Sequence, residues 1–218
     1  MYVSRARALR ELYYLKTYPT ISAKIERGTS IYAFAKLDGS SIRAEWSKGK
    51  VFYKFGSRKR LLGADQNFIH KAESLIKLKY EKDISRIYSK NNWDRGICFF
   101  EFVGPNSFAG THQDETHDVV LFDVNPYKKG ILDPKEYLEY FGDLDIAKLL
   151  YHGPCDQTFV DSVIQSTLED MPLEGVVCKA RNQKNTPAPL MFKIKSEAWR
   201  TRLWNFCEGD SKKFELLV

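Results

Sequence analysis

Apolar and polar positions alternate in Ile42-Arg43-Ala44-Glu45-Trp46, and just upstream lies the nearly unbroken apolar run Ile31-Tyr32-Ala33-Phe34-Ala35. Both patterns read as strands. With Asp38-Gly39-Ser40 between them, strands over 31–36 and 41–46 are predicted to form a β-hairpin. Val51-Phe52-Tyr53-Lys54-Phe55 gives a third strand, closed by Gly56. Ile97 to Val103 and Asp118 to Val124 follow as strands, ended by Gly104-Pro105-Asn106 and Asn125-Pro126. Gly175 to Lys179 and Leu190 to Lys195 are the last two.

Helical spacing is sparser. It predicts a short amphipathic helix over 4–16, a charged one from Asp65 to about Tyr88, one opening at Pro134, and a C-terminal one around 198–206. Long strands with few helices predict an α+β fold of antiparallel sheets flanked by helices. The 218 residues show no repeat, low-complexity tract or linker, so a single domain over 1–218 is expected.

Composition narrows the field. No apolar run approaches the roughly 18 residues that cross a bilayer, and no apolar segment follows the basic N-terminus. A soluble, cytoplasmic protein is expected. The four cysteines are scattered with no Cys-x-x-Cys pair, which argues for reduced, buried thiols over a zinc site or disulfide framework. His112 and His117 read as surface residues. The net charge of +6 is concentrated at Arg5, Arg7 and Arg10, at Arg58-Lys59-Arg60, and at Lys193, Lys195, Arg200 and Arg202. Basic groups among 14% aromatics suit a nucleotide or a nucleic-acid strand.

Five strand or turn elements carry a charged or aromatic group that stands out from its surroundings. Lys36 ends a strand in Lys36-Leu37-Asp38-Gly39, and Glu101 interrupts Phe99-Phe100-Glu101-Phe102-Val103. Phe122 lies between Asp118 and Asp123, and Glu174 precedes Gly175-Val176-Val177. Lys193 and Lys195 flank Ile194, so both amines share one face. Because an unpaired buried charge is costly, such groups must pair, meet water, or line a site.

In this order the series resembles the motifs of the covalent nucleotidyltransferases, the ATP-dependent DNA and RNA ligases and mRNA capping enzymes. It spans Lys36 to Lys195. Glu101-Phe102-Val103-Gly104-Pro105, Phe55-Gly56-Ser57-Arg58 and Lys193-Ile194-Lys195-Ser196 with Trp199 resemble the RNA ligase 2-like branch. Aspartate is usual across the superfamily where Asp38 stands, although that branch's best-known member has histidine. The resemblance implies a nucleotidyltransferase adenylation domain. Only about 23 residues follow Lys195, so no C-terminal OB-fold or helical domain is expected.

The implied function is an ATP-dependent RNA ligase. Lys36 would take AMP from ATP, pass it to a 5′-phosphate end, and allow a 3′-hydroxyl to seal that end. Lys193 and Lys195 would lower the basicity of Lys36 and balance charge on the α-phosphate. Glu101 would hold the ribose, Phe122 would stack on adenine, and Arg58 would contact a phosphate. Asp38 would support the nucleophile loop, turned at Gly39, or a metal-bound water. Mg²⁺ would accompany ATP, with Mn²⁺ able to substitute, and Glu174 is the carboxylate assigned to it. The implied partner is RNA with 5′-phosphate and 3′-hydroxyl ends, possibly in a nicked duplex, and no membrane. A monomer is expected, or a module needing a partner subunit for sealing. A minimal DNA ligase, a guanylyltransferase and a non-catalytic nucleic-acid-binding protein are the alternatives. Such compactness suggests a viral or phage source.

Overall fold

The computed structural model describes residues 17–57, 66–105, 114–182 and 186–218. The helix expected over 4–16, the Arg58-Lys59-Arg60 cluster with candidate Arg58, and His112 lie outside the described residues. In chain order the strands are β1 (Ser30–Ala35), β2 (Ser40–Ser47), β3 (Val51–Ser57), β4 (Arg95–Val103), β5 (Asp118–Pro126), β6 (Leu149–Pro154), β7 (Gly175–Ala180) and β8 (Met191–Lys195). The described helices are α1 (Gln66–Lys90), α2 (Pro134–Phe141), α3 (Gln157–Ile164), α4 (Glu197–Phe206) and α5 (Ser211–Leu217).

Two four-stranded antiparallel sheets result. Sheet A has the order β6-β1-β7-β8, and sheet B has β3-β2-β4-β5. The α+β expectation therefore holds, but the hairpin does not: β1 and β2 belong to different sheets. The reason lies in the apolar run of β1. Ile31 and Ala33 enter one core while Tyr32 and Phe34 enter another, so both faces of β1 are buried. A strand apolar on both faces belongs in the middle of a covered sheet, and β1 lies between β6 and β7. The Asp38-Gly39 segment is a crossover rather than a hairpin turn. Gly39 is required there, because a Cβ would lie 2.4 Å from the Phe102 carbonyl oxygen of sheet B.

Sheet B packs on α1, whose buried stripe Ala72, Ile76, Tyr80, Ile84 and Tyr88 recurs every four residues. Tyr80 secures this contact, its hydroxyl donating to the carbonyls of Val119 and Asp145 at 2.8 Å each. Sheet A packs on α3 through Phe159, Val160 and Val163. Among the described residues no helix is long and apolar enough to cross a membrane. All four cysteines are buried and free.

Candidate active site

A cleft of about 400 Å³ opens between the two sheets, lined by Lys36, Asp38, Gly39, Glu101, Phe122, Glu174, Lys193 and Lys195. Every candidate from the strand pattern within the described residues is thus brought to one place.

Each side chain is delivered by strand register. Lys36 leaves the end of β1 with its amide bonded to the Gly175 carbonyl at 2.9 Å. That bond sets Lys36 beside Glu174, and the pairing Gly175↔Lys195 sets Lys195 on the other side. The Glu174 carboxylate, 4% exposed as a residue, meets both amines through Oε1. Lys36 Nζ is at 2.8 Å and Lys195 Nζ at 3.1 Å. Gly175 makes the approach possible. Its φ is +123°, and a Cβ there would lie 2.2 Å from the Ile194 carbonyl oxygen.

Burial pushes the Lys195 amine down to about 8; Lys36 and Lys193 act in the same direction, and Glu174 opposes them. Its ammonium lies 3.6 Å from the centroid of the Trp199 ring. The Trp199 indole nitrogen in turn lies 3.5 Å from Asp38 Oδ2, tying α4 to the loop that follows Lys36. Lys193, two positions before Lys195, donates to the carbonyl of Val218 at 2.9 Å. Leu217 and Val218 therefore form part of the cleft wall.

Sheet B supplies the opposite wall. Glu101 on β4 is pushed up to about 8. Loss of solvent is the main cause, Glu174 and Asp38 add to it, and Lys36 and the Gly39 amide oppose it. Phe122 on β5 is half-buried, with the Tyr18 ring edge-on at 5.0 Å.

Beneath Phe122 lies a pair that the strand pattern assigned no role. Lys179 Nζ is 2.8 Å from Asp123 Oδ2 and donates to the Phe122 carbonyl at 2.9 Å. Their side chains are 3% and 1% exposed. Tyr18 donates to the same carboxylate oxygen at 2.5 Å. Burial holds Asp123 above the usual carboxylate range against the pull of Lys179, and it holds the Tyr18 hydroxyl well above its ordinary value. This pair joins β7 of sheet A to β5 of sheet B at the edge of the cleft, where Lys179 is part of the lining. The signal for it was present: Asp123 follows Phe122 directly, and Lys179 closes the Glu174-Gly175-Val176-Val177-Cys178-Lys179 run. Tyr18 and the Val218 wall carried no such signal.

No curated protein sequence matches the chain. In solved structures the fold is similar to that of RNA ligase from Naegleria gruberi. A variant with ATP and Mn superimposes with a TM-score of 0.55 at 19% identity, covering 79% of this chain and 51% of that one. A second variant, with AMP and Mn, gives 0.57 at 18% identity, covering 85% and 59%. The same ligase with PPi gives 0.56 at 19%, covering 87% and 60%. This chain thus spans about half to three-fifths of the length of those proteins. The family model described as RNA ligase matches residues 29–195, the stretch that carries Lys36, Glu101, Phe122, Glu174, Lys193 and Lys195. The chain belongs to the RNA ligase family.

Proposed function

We propose that this protein is an ATP-dependent RNA ligase that carries AMP on Lys36. The observation that supports this reading best is the pairing of two amines on one buried carboxylate: Lys36 and Lys195 both on Glu174 Oε1, at the floor of a cleft walled by Phe122. An amine can attack only when neutral. Glu174 Oε1, 2.8 Å from Lys36 Nζ, is the acceptor at hand for its proton. Lys36 Nζ then bonds to the α-phosphorus of ATP as the bond to pyrophosphate breaks. Lys195 and Lys193 face the same space and offset the charge that develops on the phosphoryl oxygens. AMP passes from Lys36 to a 5′-phosphate, and a 3′-hydroxyl displaces it to seal the strand.

The same reading gives the other cleft residues their roles. Phe122, held from below by Lys179, offers its ring to adenine. Glu101 faces the ribose, and in its protonated form can donate as well as accept a hydrogen bond. Asp38 and Gly39 hold the nucleophile loop between Trp199 and β4.

A divalent cation fits on limited terms. Among the described residues no three His, Cys, Asp or Glu side chains form a cage. The donors present suit an ion carried mainly by phosphate oxygens, as Mg²⁺ prefers, with Glu174 or Glu101 beside it. Such an ion supplies charge screening at the phosphates. RNA ends, nicked or adjoining, are the proposed substrate, with a monomer acting in the cytoplasm, where the four thiols stay reduced.

Intact-mass analysis after incubation with ATP and Mg²⁺ tests this. The parent gains the mass of one AMP, GTP gives no adduct, and Lys36→Ala gains nothing while keeping its melting behaviour. An AMP adduct on Lys36→Ala would overturn the assignment.

A further inference from the structure

One corner of sheet B, remote from the cleft, collects five exposed cations. Lys48 and Lys50 lie in the β2–β3 turn, Arg95 opens β4, and Lys128 and Lys129 lie in the turn after β5. Backbone bonds hold these turns together. The Lys48 amide donates to the Asp94 carbonyl at 2.8 Å, and the Tyr127 amide donates to the Arg95 carbonyl at 2.9 Å. The cations are set over aromatic rings. The Arg95 guanidinium is 3.5 Å from the Tyr127 centroid, Lys128 is 5.2 Å from the same ring, Lys129 is 5.6 Å from Trp93, and Lys50 is 5.6 Å from Tyr53.

Carboxylates do not balance them. Among the described residues none of the five takes part in an ion pair. Asp94 is the exposed acid in these turns. Glu45 nearby is buried and engaged by Lys54 at 3.4 Å and Tyr53 at 3.2 Å. Five like charges against one exposed acid repel one another, and the arrangement suits an anion that arrives from outside with regularly spaced charge. Tyr53, 44% exposed beside Lys50, adds a ring face of the kind on which a base stacks.

We propose that this corner is a second contact surface for the RNA strand, gripping its phosphodiester backbone away from the reacting end. The proposal rests on the ligase reading above. Its distance from the chemistry follows from β2. Ser41 lines the cleft opposite Glu101, and Ser47 lies opposite Arg95 at the corner. Six residue steps along a strand cover about 20 Å. At about 3.4 Å per nucleotide that is about six nucleotides of a strand.

The test uses the full chain and the triple variant K50A/R95A/K128A. Binding of 5′-phosphorylated RNA is measured by fluorescence anisotropy over a KCl series, with one oligonucleotide of about 4 and one of about 16 nucleotides. Three lost phosphate contacts at a slope of about 0.7 each should flatten the salt dependence for the long RNA by about 2 and weaken it about 100-fold near 0.1 M salt. The short RNA should bind the variant and the parent alike, and self-adenylation with ATP should be unchanged. A second variant, K48Q/K129Q, leaves the Arg95–Tyr127 stack intact and should flatten the slope by about 1.4. If adenylation is intact but the long RNA binds both variants with parental affinity and slope, the corner makes no contact and the proposal falls alone. If the parent forms no AMP adduct and binds neither RNA, the ligase reading falls, and this inference with it.

Discussion

Replacing Lys179 with methionine removes one member of a buried ion pair while keeping most of the volume of its stem. Asp123 would keep only the Tyr18 hydroxyl as partner for Oδ2, and its Oδ1 already has no hydrogen bond among the described residues. With both side chains at 3% exposure or less, solvent screening does little to soften the loss. Breaking such a pair from one side costs about 3–5 kcal/mol. For a chain of this size each kcal/mol moves the melting temperature by roughly 2–4 °C, so a fall of about 10 °C is expected. The pH dependence carries a sign. Burial already raises Asp123 above its unfolded value, and losing Lys179 raises it further. The folded state then takes up a proton before the unfolded chain does, so stability falls as pH rises through the new pKa. The deficit should therefore be largest near pH 8 and shrink toward pH 5. Adding Asp123→Asn, which keeps an acceptor for Tyr18, should recover more than half of the loss. Thermal melts of the parent, both single variants and the double variant at the two pH values make the comparison. A deficit under 2 °C at pH 8, or one that does not change with pH, would refute the claim that this pair bolts the sheets together.

Other consequences can be checked with single measurements. Gly175→Ala combines a positive φ with a Cβ driven into the Ile194 carbonyl, so it should lose several kcal/mol of stability, seen as a melting point lower by roughly 10 °C or as insoluble expression. In ¹³C-methylated protein, one lysine resonance should titrate near pH 8 and be absent from Lys195→Met; no lysine titrating below pH 9.5 would contradict the burial of that amine. The same resonance should move to higher pH when an ATP analogue brings phosphates beside it. Trp199→Phe keeps the ring over Lys195 but not the indole nitrogen near Asp38; it should slow self-adenylation by less than tenfold, whereas Trp199→Ala should slow it more and destabilise α4.

How far the sequence could be read depended on range. Lys36, Glu101, Glu174, Lys193 and Lys195 were legible because each puts a charge within or at the end of an apolar strand, and Phe122 because of its place between Asp118 and Asp123 in the ordered motif series. Their convergence in one cleft follows from register, which links Gly175 to Lys195 and Ser41 to Glu101. The hairpin was misread because Asp38-Gly39 carries a turn signal whether the chain folds back or crosses over. Only the two-sided burial of β1 decides between them, and that is a tertiary fact. Strand β6 was missed because Leu149–Pro154 is an edge strand, mostly half-exposed, ending in Gly153-Pro154. Helix α3 has eight residues and depends on the Asp156 side chain accepting from the Phe159 amide at 2.8 Å. Asp123 and Lys179 each stand out in their own strands, but their pairing and the place of Tyr18 on it join segments more than fifty residues apart, which no local pattern shows.

The division of the cleft between the sheets has a consequence for how the proposed activity can be tuned. Lys36, Glu174, Lys193 and Lys195 all hang from sheet A or its immediate ends, whereas Glu101 and Phe122 belong to sheet B. A small rocking of one sheet against the other would leave the amine–carboxylate spacings intact while changing their distance to Glu101 and Phe122, the residues proposed above to meet the sugar and the base. Substitutions at the seam should therefore register first as a change in nucleotide KM, with the rate from the bound state held nearly constant. Substitutions inside sheet A should do the reverse. Affinity and turnover are thereby assigned to separate halves of one small fold, able to drift independently.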